Sequence, residues 1–355
     1  MSPHFTSIKK VTINDVAREA GVSIKTVSRV VNGEAAVRAN TRTHVQAVID
    51  RLGYQPDISA RRMGGHRTFQ IGLIYLRVRS LYFLDVQQGL LDMCRQRHYG
   101  VTLCPIEMDE EHVSELVEQS FQRLRPDGVV LTPPFSGSAQ LQESLKQWGI
   151  PFACIAPPST HDHPISVFSR DRSAAKTLTE YLIELGHRDI ALVAGHPDHS
   201  ASHEREAGVI DALTEAGLTL PKRLRVQGFF QFQDGVDASE QLLSLSKRPT
   251  AIICANDAMA AGVLHSAIRK HVRVPEDLSI TGFDDADTAR QTLPQLTTIA
   301  QPVQEMAHEA GRLLLNHLSD SKAEISPVGF DCQLIVRDST GPCTDPVKKK
   351  RAPKT

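Results

Sequence analysis

The residues with the clearest potential for chemistry lie near the N-terminus, in segment 22–32 (V-S-I-K-T-V-S-R-V-V-N). Ser23 can accept a hydrogen bond from a free amide of the following turn, so it is predicted to begin a helix. Val27, Val30 and Val31 recur at helical spacing and would form one buried stripe. The other side chains combine hydrogen-bond donors with one apolar tip: Ile24, Lys25, Ser28, Arg29 and Asn32. Such donors match guanine edges and phosphates, and an isoleucine can contact a thymine methyl, so this helix suits the DNA major groove.

A second short helix is predicted immediately before this one, over residues 13–20. Ile13, Val16, Ala17 and Ala20 would lie on one face, and Gly21 would make the tight turn between the two helices. The pair is typical of a helix-turn-helix. Any small helical hairpin has a similar pattern, so the position near the N-terminus and the residues that follow also contribute to this interpretation.

Charge is distributed unevenly along the 355 residues, although the net charge is only −1. Residues 1–67 contain 11 Lys and Arg against 5 Asp and Glu, whereas the remainder contains 29 against 36. A basic N-terminal module on an acidic body is the balance expected of nucleic-acid binding at one end. The length and the 41% hydrophobic content favour two or three domains with sizeable cores.

Several classes of protein are disfavoured by the sequence. No apolar run is long enough to span a membrane and no secretory signal is evident, so a cytoplasmic, nucleoid-associated protein is expected. The six cysteines lack metal-ligand spacing and are expected to be small buried hydrophobes. Motifs of hydrolases, zinc proteases, phosphate loops and dinucleotide sites are absent from the sequence, so we expect no enzyme activity, no metal and no cofactor.

The rest of the chain alternates short apolar strands with amphipathic helices after a third N-terminal helix over 41–52. Strands are predicted at 70–76, 101–106, 128–132, 152–156, 189–194, 251–255 and 278–283. Helices are predicted at 83–98, 112–124, 139–148, 174–185, 202–216, 235–245, 258–271 and 304–318. Continuous apolar strands separated by helices indicate an α/β protein with parallel sheets covered on both faces.

Polar residues follow the strands of the second half, where ligands bind in open α/β sheets. Asn256 and Asp284 each come directly after an apolar run or its Gly-Phe extension, and Arg205 lies in the helix that follows another. Carboxylates and amides exchange hydrogen bonds with hydroxyl groups, and arginine can fix a planar or anionic group. For Asp257 and Asp285 we expect helix capping instead of ligand contact.

Two stretches carry a family resemblance: T-I-N-D-V-A-R-E-A-G-V-S-I-K-T-V-S-R-V-V-N (12–32) and T-R-T-H-V-Q-A-V-I-D-R-L-G-Y-Q-P (41–56). They resemble the lactose/galactose repressor (LacI/GalR) family of bacterial transcription regulators. Shorter matches recur along the core at Gly186-His187-Arg188, Ala255-Asn256-Asp257, Gly282-Phe283-Asp284-Asp285, Leu296-Thr297-Thr298-Ile299 and Val336-Arg337-Asp338-Ser339. The resemblance therefore covers nearly the whole chain.

The resemblance implies a domain plan. An all-α helix-turn-helix domain (1–56) would be joined by a hinge helix and linker (57–67) to a two-lobed core (68–340) like that of periplasmic binding proteins. Lobe 1 would comprise 70–168 and 301–325, and lobe 2 would comprise 169–300 and 326–340. Residues 341–355 would form a disordered basic tail, for which a DNA contact is a second possibility.

The resemblance also implies roles for individual residues. In the hinge helix Met63, where the family usually has leucine, would enter the minor groove and kink the duplex. DNA contacts would come from Thr12, Ser23, Ile24, Lys25, Thr26, Ser28, Arg29, Asn32, Arg38, Ala60 and Met63. Effector contacts would come from Arg205, Phe230, Asn256, Asp284 and Gln301, with Phe230 at the ring-stacking position.

The sequence departs from the family around the expected cleft. Residues 76–83 replace a polar segment, Ala156-Pro157-Pro158 replaces an acidic residue, and Ser169-Arg170 replaces an Asp-Asn pair. Arg77, Arg79 and Arg170 would then either line the cleft and favour an acidic sugar or be solvated loop residues.

The expected function is a homodimeric, effector-controlled regulator, a repressor of a carbohydrate-utilisation operon that reads a pseudo-palindromic operator. On the family analogy, helix 83–98 would lie on the dimer face. The alternatives are a solute-binding protein, an α/β enzyme, and a DNA-binding regulator controlled by a protein corepressor.

Overall fold

The computed structural model describes residues 11–31, 36–54, 67–77, 81–107, 113–159, 163, 165–321 and 324–343. The chain divides into two compact units, Met1–Phe69 and Gln70–Thr355. Asn32, Ala60, Met63 and Arg79 lie outside the described residues, as do most of the hinge and the basic tail. No helix in the described part of the chain is long and apolar enough to cross a membrane.

The first unit consists of three helices around a small apolar core. They are α1 (Ile13–Glu19), α2 (Ile24–Val31) and α3 (Ala39–Leu52). Their buried residues are those that the apolar spacing predicted, including Val16 from α1, Val27 from α2 and Val45 from α3. Gly21 has a φ of 62°, a left-handed conformation that glycine adopts without strain, so it closes the tight turn before α2.

The first lobe of the second unit is a parallel sheet in the order β11-β5-β4-β3-β1-β2. Its strands are β1 (Gln70–Leu76), β2 (Gly100–Ile106), β3 (Gly128–Leu131), β4 (Phe152–Ile155), β5 (Ser166–Ser169) and β11 (Val328–Phe330). Helices α4 (Leu81–Gln96) and α12 (Val303–Ser319) cover one face, and α5 (Val113–Leu124) and α6 (Ala139–Gln147) cover the other. Alternate residues of β1 serve the two faces: Ile71 and Leu73 pack with α4 and α12, whereas Ile74 packs with α5 and α6.

The second lobe is a four-stranded parallel sheet in the order β7-β6-β8-β9. Its strands are β6 (Ile190–Ala194), β7 (Arg225–Gln227), β8 (Ala251–Cys254) and β9 (Ser279–Thr281). Helices α7 (Asp171–Glu184) and α8 (Ser200–Glu215) cover one face, and α9 (Phe232–Leu243) and α10 (Asp257–Arg269) cover the other. A short helix α11 (Asp287–Gln291) follows, and β10 (Thr298–Ala300) pairs antiparallel with β12 (Gln333–Ile335).

The return of the chain between the lobes differs from the expectation. Residues 326–340 were expected in lobe 2, but Val328–Phe330 pairs with β5 and extends the first sheet. Three segments therefore connect the lobes: 169–171, 300–303 and 330–333. The predicted strand ranges do not include β5, β7, β10, β11 or β12, and helix α11 was not predicted, because runs of three to five residues carry too little periodicity to be recognised.

The C-terminal segment is fastened to the second lobe by polar contacts. Ser339 Oγ donates to the carbonyl of Ile280 at 2.6 Å and accepts the amide of Thr297 at 2.8 Å. His187 Nε2 lies 3.1 Å from the carbonyl of Gly341. The Gly-His-Arg and Val-Arg-Asp-Ser sequences therefore both help to fix the C-terminal segment to the second lobe, and Gly341, which was expected in the disordered tail, is held there.

Candidate DNA-binding helix and effector cleft

Thr12 begins the first helix of the helix-turn-helix. Its Oγ1 accepts the amide of Asp15 at 3.3 Å, and its own amide donates to Asp15 Oδ2 at 3.0 Å. This reciprocal arrangement is a capping box, which satisfies two amides that the helix itself leaves unpaired. Thr12 therefore has a structural role in the free protein, and its predicted DNA contact stays a prediction.

Helix α2 presents its N-terminal side chains to solvent. Ser23 Oγ accepts the amide of Thr26 at 3.1 Å, which confirms the predicted helix start. Val27 and Val30 are buried, whereas Ile24 is 51% exposed and Lys25 is exposed beside it. An apolar tip and an ammonium group at the start of an exposed helix match the requirements for contact with base edges.

The other predicted DNA contacts occupy several environments. Ser28 and Arg29 are half-buried on α2, and Arg38 is exposed immediately before α3, where its side chain makes no capping hydrogen bond. Thr26 Oγ1 lies 2.9 Å from Ser23 Oγ. Ser28 and Arg29 lie on α2 itself and Arg38 directly precedes α3, and the predicted DNA contacts of these residues stay predictions.

A cavity of about 340 Å³ lies between the two lobes of the second unit. Its lining residues follow the carboxyl ends of strands in both sheets, as in other open α/β proteins. The first lobe contributes Leu76, Leu81, Tyr82, Phe83, Pro133 and Ala156, and Ser169 lies at the crossing. The second lobe contributes residues that follow β6, β7, β8 and β9, and these include four of the predicted effector residues: Arg205, Phe230, Asn256 and Asp284. Gln301, the fifth, lies on another crossing segment and also lines the cavity.

Arg205 is the central polar residue of this cleft. It lies on α8, its side chain is only 8% exposed, and Nη1 donates to the carbonyl of Ala255. The guanidinium carbon lies 3.7 Å above the centre of the Phe283 ring. Its Nε atom is buried and has no hydrogen-bond partner among the described residues. A buried donor without a hydrogen-bond partner lowers the stability of the folded state, so Nε is suited to donate a hydrogen bond to a ligand oxygen.

Asp284 and Gln301 form a connected pair beside Arg205. Gln301 Nε2 donates to Asp284 Oδ1 at 2.6 Å, and Arg205 Nη1 lies 3.5 Å from the same oxygen. Ser169 Oγ donates to Gln301 Oε1 at 3.1 Å, which links the pair to the crossing between lobes. Burial raises the pKa of Asp284 to about 6, although Arg205 and Gln301 act in the opposite direction.

Asp171 is a member of this cluster that the sequence analysis did not identify. It is the first residue of α7, and its Oδ2 lies 3.7 Å from Arg205 Nε. Ser169 Oγ donates to its Oδ1 at 2.9 Å, and burial raises its pKa. The signal in the sequence is an acidic residue that directly follows Ser169-Arg170 at the start of a helix.

Asn256, rather than Asp257, caps helix α10. Asn256 Oδ1 accepts the amide of Met259 at 2.9 Å, and its Nδ2 donates to the carbonyl of Phe230 at 3.0 Å. Its predicted effector contact must therefore coexist with a capping role. The capping prediction for Asp257 is wrong, because its oxygens accept Thr298 Oγ1 at 2.6 Å and the amide of Ala286 at 2.8 Å.

The capping prediction for Asp285 is wrong as well. Its two oxygens accept from Arg337 and Arg290, at 2.5 and 2.6 Å. Helix α11 begins after Ala286 without a side-chain cap. Asp285 therefore fastens the loop after β9 to the C-terminal segment.

Aromatic side chains form a wall of the cleft in the second lobe. The Phe230 ring lies 5.5 Å from the His199 ring, and the His196 ring lies 5.4 Å from that of Phe229. Phe230 approaches Gly195 so closely that a Cβ there would lie 2.3 Å from its Cζ, so the ring position requires glycine. Burial lowers the pKa of His199 to about 4, and its Nε2 is buried without a partner among the described residues.

Two of the three arginines that were candidates for cleft contacts form ion pairs with acidic loop residues, and the third, Arg79, lies outside the described residues. Arg77 pairs with Glu107 at 3.0 Å, and Arg170 pairs with Asp331 at 3.0 Å. Neither residue lines the cleft cavity, although Arg170 lines an adjoining cavity that shares Ser169 and Asp171 with it. For Arg77 the structure supports the alternative of an exposed loop arginine, and neither residue adds positive charge to the lining of the cleft cavity.

Comparisons with known proteins give the class and the family. Residues 179–340 match the family described as a periplasmic binding protein-like domain, and residues 12–57 match the bacterial regulatory proteins of the lacI family. The chain is 33% identical to catabolite control protein A of Priestia megaterium over 333 residues, which cover 93% of this chain and 99% of the relative. It is 32% identical to the HTH-type transcriptional repressor PurR of Vibrio atlanticus over 326 residues, which cover 88% and 93% of the two chains.

Solved structures agree with this result. A complex of the transcriptional regulator CelR with cellobiose has a TM-score of 0.72 at 28% identity, covering 93% of this chain and 100% of that one. The lac repressor dimer bound to operator and an anti-inducer also has a TM-score of 0.72, at 27% identity, covering 94% and 100%. The fold and the helix-turn-helix define a DNA-binding transcription regulator with a periplasmic-binding-protein-like core. The chain belongs to the LacI family of bacterial regulatory proteins.

Proposed function

We propose that this protein represses a carbohydrate-utilisation operon and that a sugar-type effector bound between the core lobes controls its affinity for the operator. The observation that carries the effector assignment is the connected set Arg205, Asp284 and Gln301 in a cavity of about 340 Å³. Carboxylate and amide groups that converge beside aromatic faces are suited to a hydroxyl-bearing ring. The cellobiose bound to CelR and the ribose named for a regulator of Enterococcus faecium support this ligand class.

The DNA contacts are assigned to the exposed end of α2. Ile24 and Lys25 would touch base edges, and Arg29 and Arg38 would contact a base or phosphates. Two copies of the module would bind the halves of a pseudo-palindromic operator. Ala60 and Met63 would bind the minor groove at its centre, with Met63 entering between base steps.

A homodimer is assigned to the core on family analogy, with helix α4 on the dimer face. Leu84 and Leu91 of this helix are exposed, which supports the assignment because exposed leucines on one helix are typical of an interface. Effector binding would bring the lobes together and shift the dimer, and the hinge helices would leave the minor groove. The protein would act in the cytoplasm, where the nucleoid lies.

The test combines selection of DNA with a screen of sugars. The full chain is used to select sequences from a random DNA pool, and sugars are then screened by thermal shift and by release of the selected DNA, measured as fluorescence anisotropy. We expect a pseudo-palindromic consensus and at least one sugar that both raises Tm and changes DNA affinity. The proposal would be overturned if the protein selected no DNA sequence from the pool. It would also be overturned if none of the sugars changed the affinity for the selected DNA.

Control through a protein corepressor is the remaining alternative to control through a small ligand. The buried Arg205 Nε, which has no hydrogen-bond partner among the described residues, favours the small ligand, because it lies inside the cleft and not on the outer surface of the core. If an Asp284→Ala variant still released DNA normally in the presence of the effector, the effector would have to act at a site other than this cleft.

A further inference from the structure

Carboxyl groups outnumber arginine and lysine side chains among the described residues that line the cleft. The carboxylates are Asp171, Asp257 and Asp284, and the single arginine or lysine is Arg205. Asp257 is satisfied internally by Thr298 and the Ala286 amide, so it takes no part in ligand binding. Two aspartates and one arginine remain at the centre of the cleft.

The guanidinium of Arg205 is shared between these two aspartates. It lies 3.7 Å from Asp171 Oδ2 and 3.5 Å from Asp284 Oδ1, and it also donates to the Ala255 carbonyl. One guanidinium compensates one carboxylate, so a negative charge or a bound proton is left over. An anionic ligand would add to that excess in a desolvated cavity.

One carboxylate oxygen of Asp284 is available for a positively charged group of a ligand. Both Gln301 and Arg205 approach its Oδ1, which leaves Oδ2 for a ligand. The Asp284 side chain is 22% exposed and lines the cavity. A charge-assisted hydrogen bond to a carboxylate is about twice as strong as one between neutral groups.

The aromatic residues around the cavity complete the environment of a cation site. Tyr82 and Phe83 come from the first lobe, and Phe229, Phe230 and Phe232 come from the second. The faces of aromatic rings attract cations, and cages of such rings recognise ligand ammonium groups. A carboxylate beside several rings therefore favours an ammonium group over an anion.

We propose that the effector is a compact ring that bears a protonated amine, such as an amino sugar, with its ammonium group at Asp284 Oδ2 and its ring against the aromatic residues. This inference rests on the proposed function, because it names the chemistry of the ligand for the same cleft.

The test uses three probes that share one ring and differ in charge: cyclohexylammonium, cyclohexanol and cyclohexanecarboxylate. Binding to the full chain at pH 7 is measured by ligand-observed NMR, and d-glucosamine, d-glucose and d-gluconate form a second series. We expect the ammonium probe to bind at least ten-fold more tightly than the carboxylate. Equal affinities, a preference for the alcohol or the acid, or no binding of the ammonium probe would overturn the proposal.

Two variants, with one control, test which residues are responsible for the preference for the ammonium probe. Asp284→Asn keeps the acceptor for Gln301 and removes the charge, so binding of the ammonium probe should fall at least five-fold while that of the alcohol is retained. Asp331→Asn is the matched control, because Asp331 is an exposed carboxylate outside the cleft. Phe229→Leu keeps an apolar side chain without a ring, and we expect a loss of roughly two- to five-fold for the ammonium probe and a smaller loss for the alcohol.

The pH profile gives a further readout. The groups that face Asp284 are Asp171, Arg205, Asp257 and Gln301, and Asp85 of α4 also contributes negative charge. Since the pKa of Asp284 is raised to about 6, the ammonium probe should bind more tightly as the pH rises from 5 to 7. A flat profile would contradict the assignment. If neutral sugars bind and release DNA without any ammonium preference, this inference fails and the sugar-responsive regulator stands.

Discussion

The DNA-binding helix and the effector cleft place polar side chains in opposite surroundings. Ile24 and Lys25 are neighbours in sequence, project into solvent, and depend on their own helix and its small core. Arg205, Asp284 and Asp171 come from three distant segments, are largely buried, and depend on one another for charge compensation. A substitution on α2 should therefore remove one contact, whereas a substitution in the cleft should disturb a cluster.

The largest effect is expected for Arg205→Met. Removal of the guanidinium leaves Asp171 and Asp284 without their compensating charge, so the free energy of unfolding of the core should fall by about 3–5 kcal/mol at pH 7. Urea denaturation measures this change. DNA binding below the unfolding transition should persist, while the response to effector should be lost.

The control for this variant is Arg172→Met. Arg172 forms a bidentate pair with Asp211 on the surface, at 2.6 and 3.0 Å. Exposed pairs contribute little because water screens them, so we expect a much smaller fall in the free energy of unfolding than for Arg205→Met. Equal losses in the free energy of unfolding for the two variants would show that the buried arginine of the cleft contributes no more to stability than the exposed one.

Met63→Ala should affect DNA binding without affecting the core. On the family analogy, the apolar side chain offsets the unstacking of one base step, which costs on the order of a few kcal/mol. Both the affinity for the operator and the bend angle should decrease, and FRET between labelled DNA ends measures the angle. Wild-type and variant complexes with the same bend would contradict this role for Met63.

Lys25→Ala should produce a smaller and more selective loss. A contact to a base edge contributes roughly 1–3 kcal/mol per half-site and specifies one base pair. Affinities for a set of operators with single base changes would show relaxed preference at that position. An equal loss of affinity for all the sequences would mean that Lys25 contacts only phosphate. Helix α2 would then have to lie in the groove with Lys25 turned away from the base edges.

The last prediction concerns the contribution of Asp284 to the pH dependence of stability. Its pKa is raised from 3.8 to about 6 in the folded protein, so the folded state binds more protons than the unfolded state between these values. This contribution is present at low pH and is lost as the pH rises through about 6.

Asp284→Asn should remove this contribution. The difference in unfolding midpoint between wild type and variant should change between pH 4 and pH 7 in the direction of a relatively less stable wild type at pH 7. His199, whose pKa is lowered to about 4, acts with the opposite sign in both proteins and cancels in the comparison. A constant difference across this range would show that Asp284 titrates normally.

The sequence predicted the helix-turn-helix better than the cleft, for physical reasons. Apolar spacing in α1 to α3 lies within about forty residues, and the Ser23 cap and the Gly21 turn are local features. Arg205, Asp284 and Gln301 were placed in the cleft on the family resemblance, and the structure does bring them together. Asp171 and the internal roles of Asp257 and Asp285 depend on contacts between distant segments, which no local pattern encodes.

Both lobes of the core contain segments that lie after residue 300, and this order affects folding during synthesis. Helix α12 supplies part of the first core, β11 completes the edge of the first sheet, and Ser339 fastens the second lobe. Both lobes therefore await the last fifty residues to leave the ribosome, whereas the helix-turn-helix has all its segments within the first sixty. A nascent chain stalled near residue 300 would carry a folded helix-turn-helix attached to two unfinished, aggregation-prone lobes.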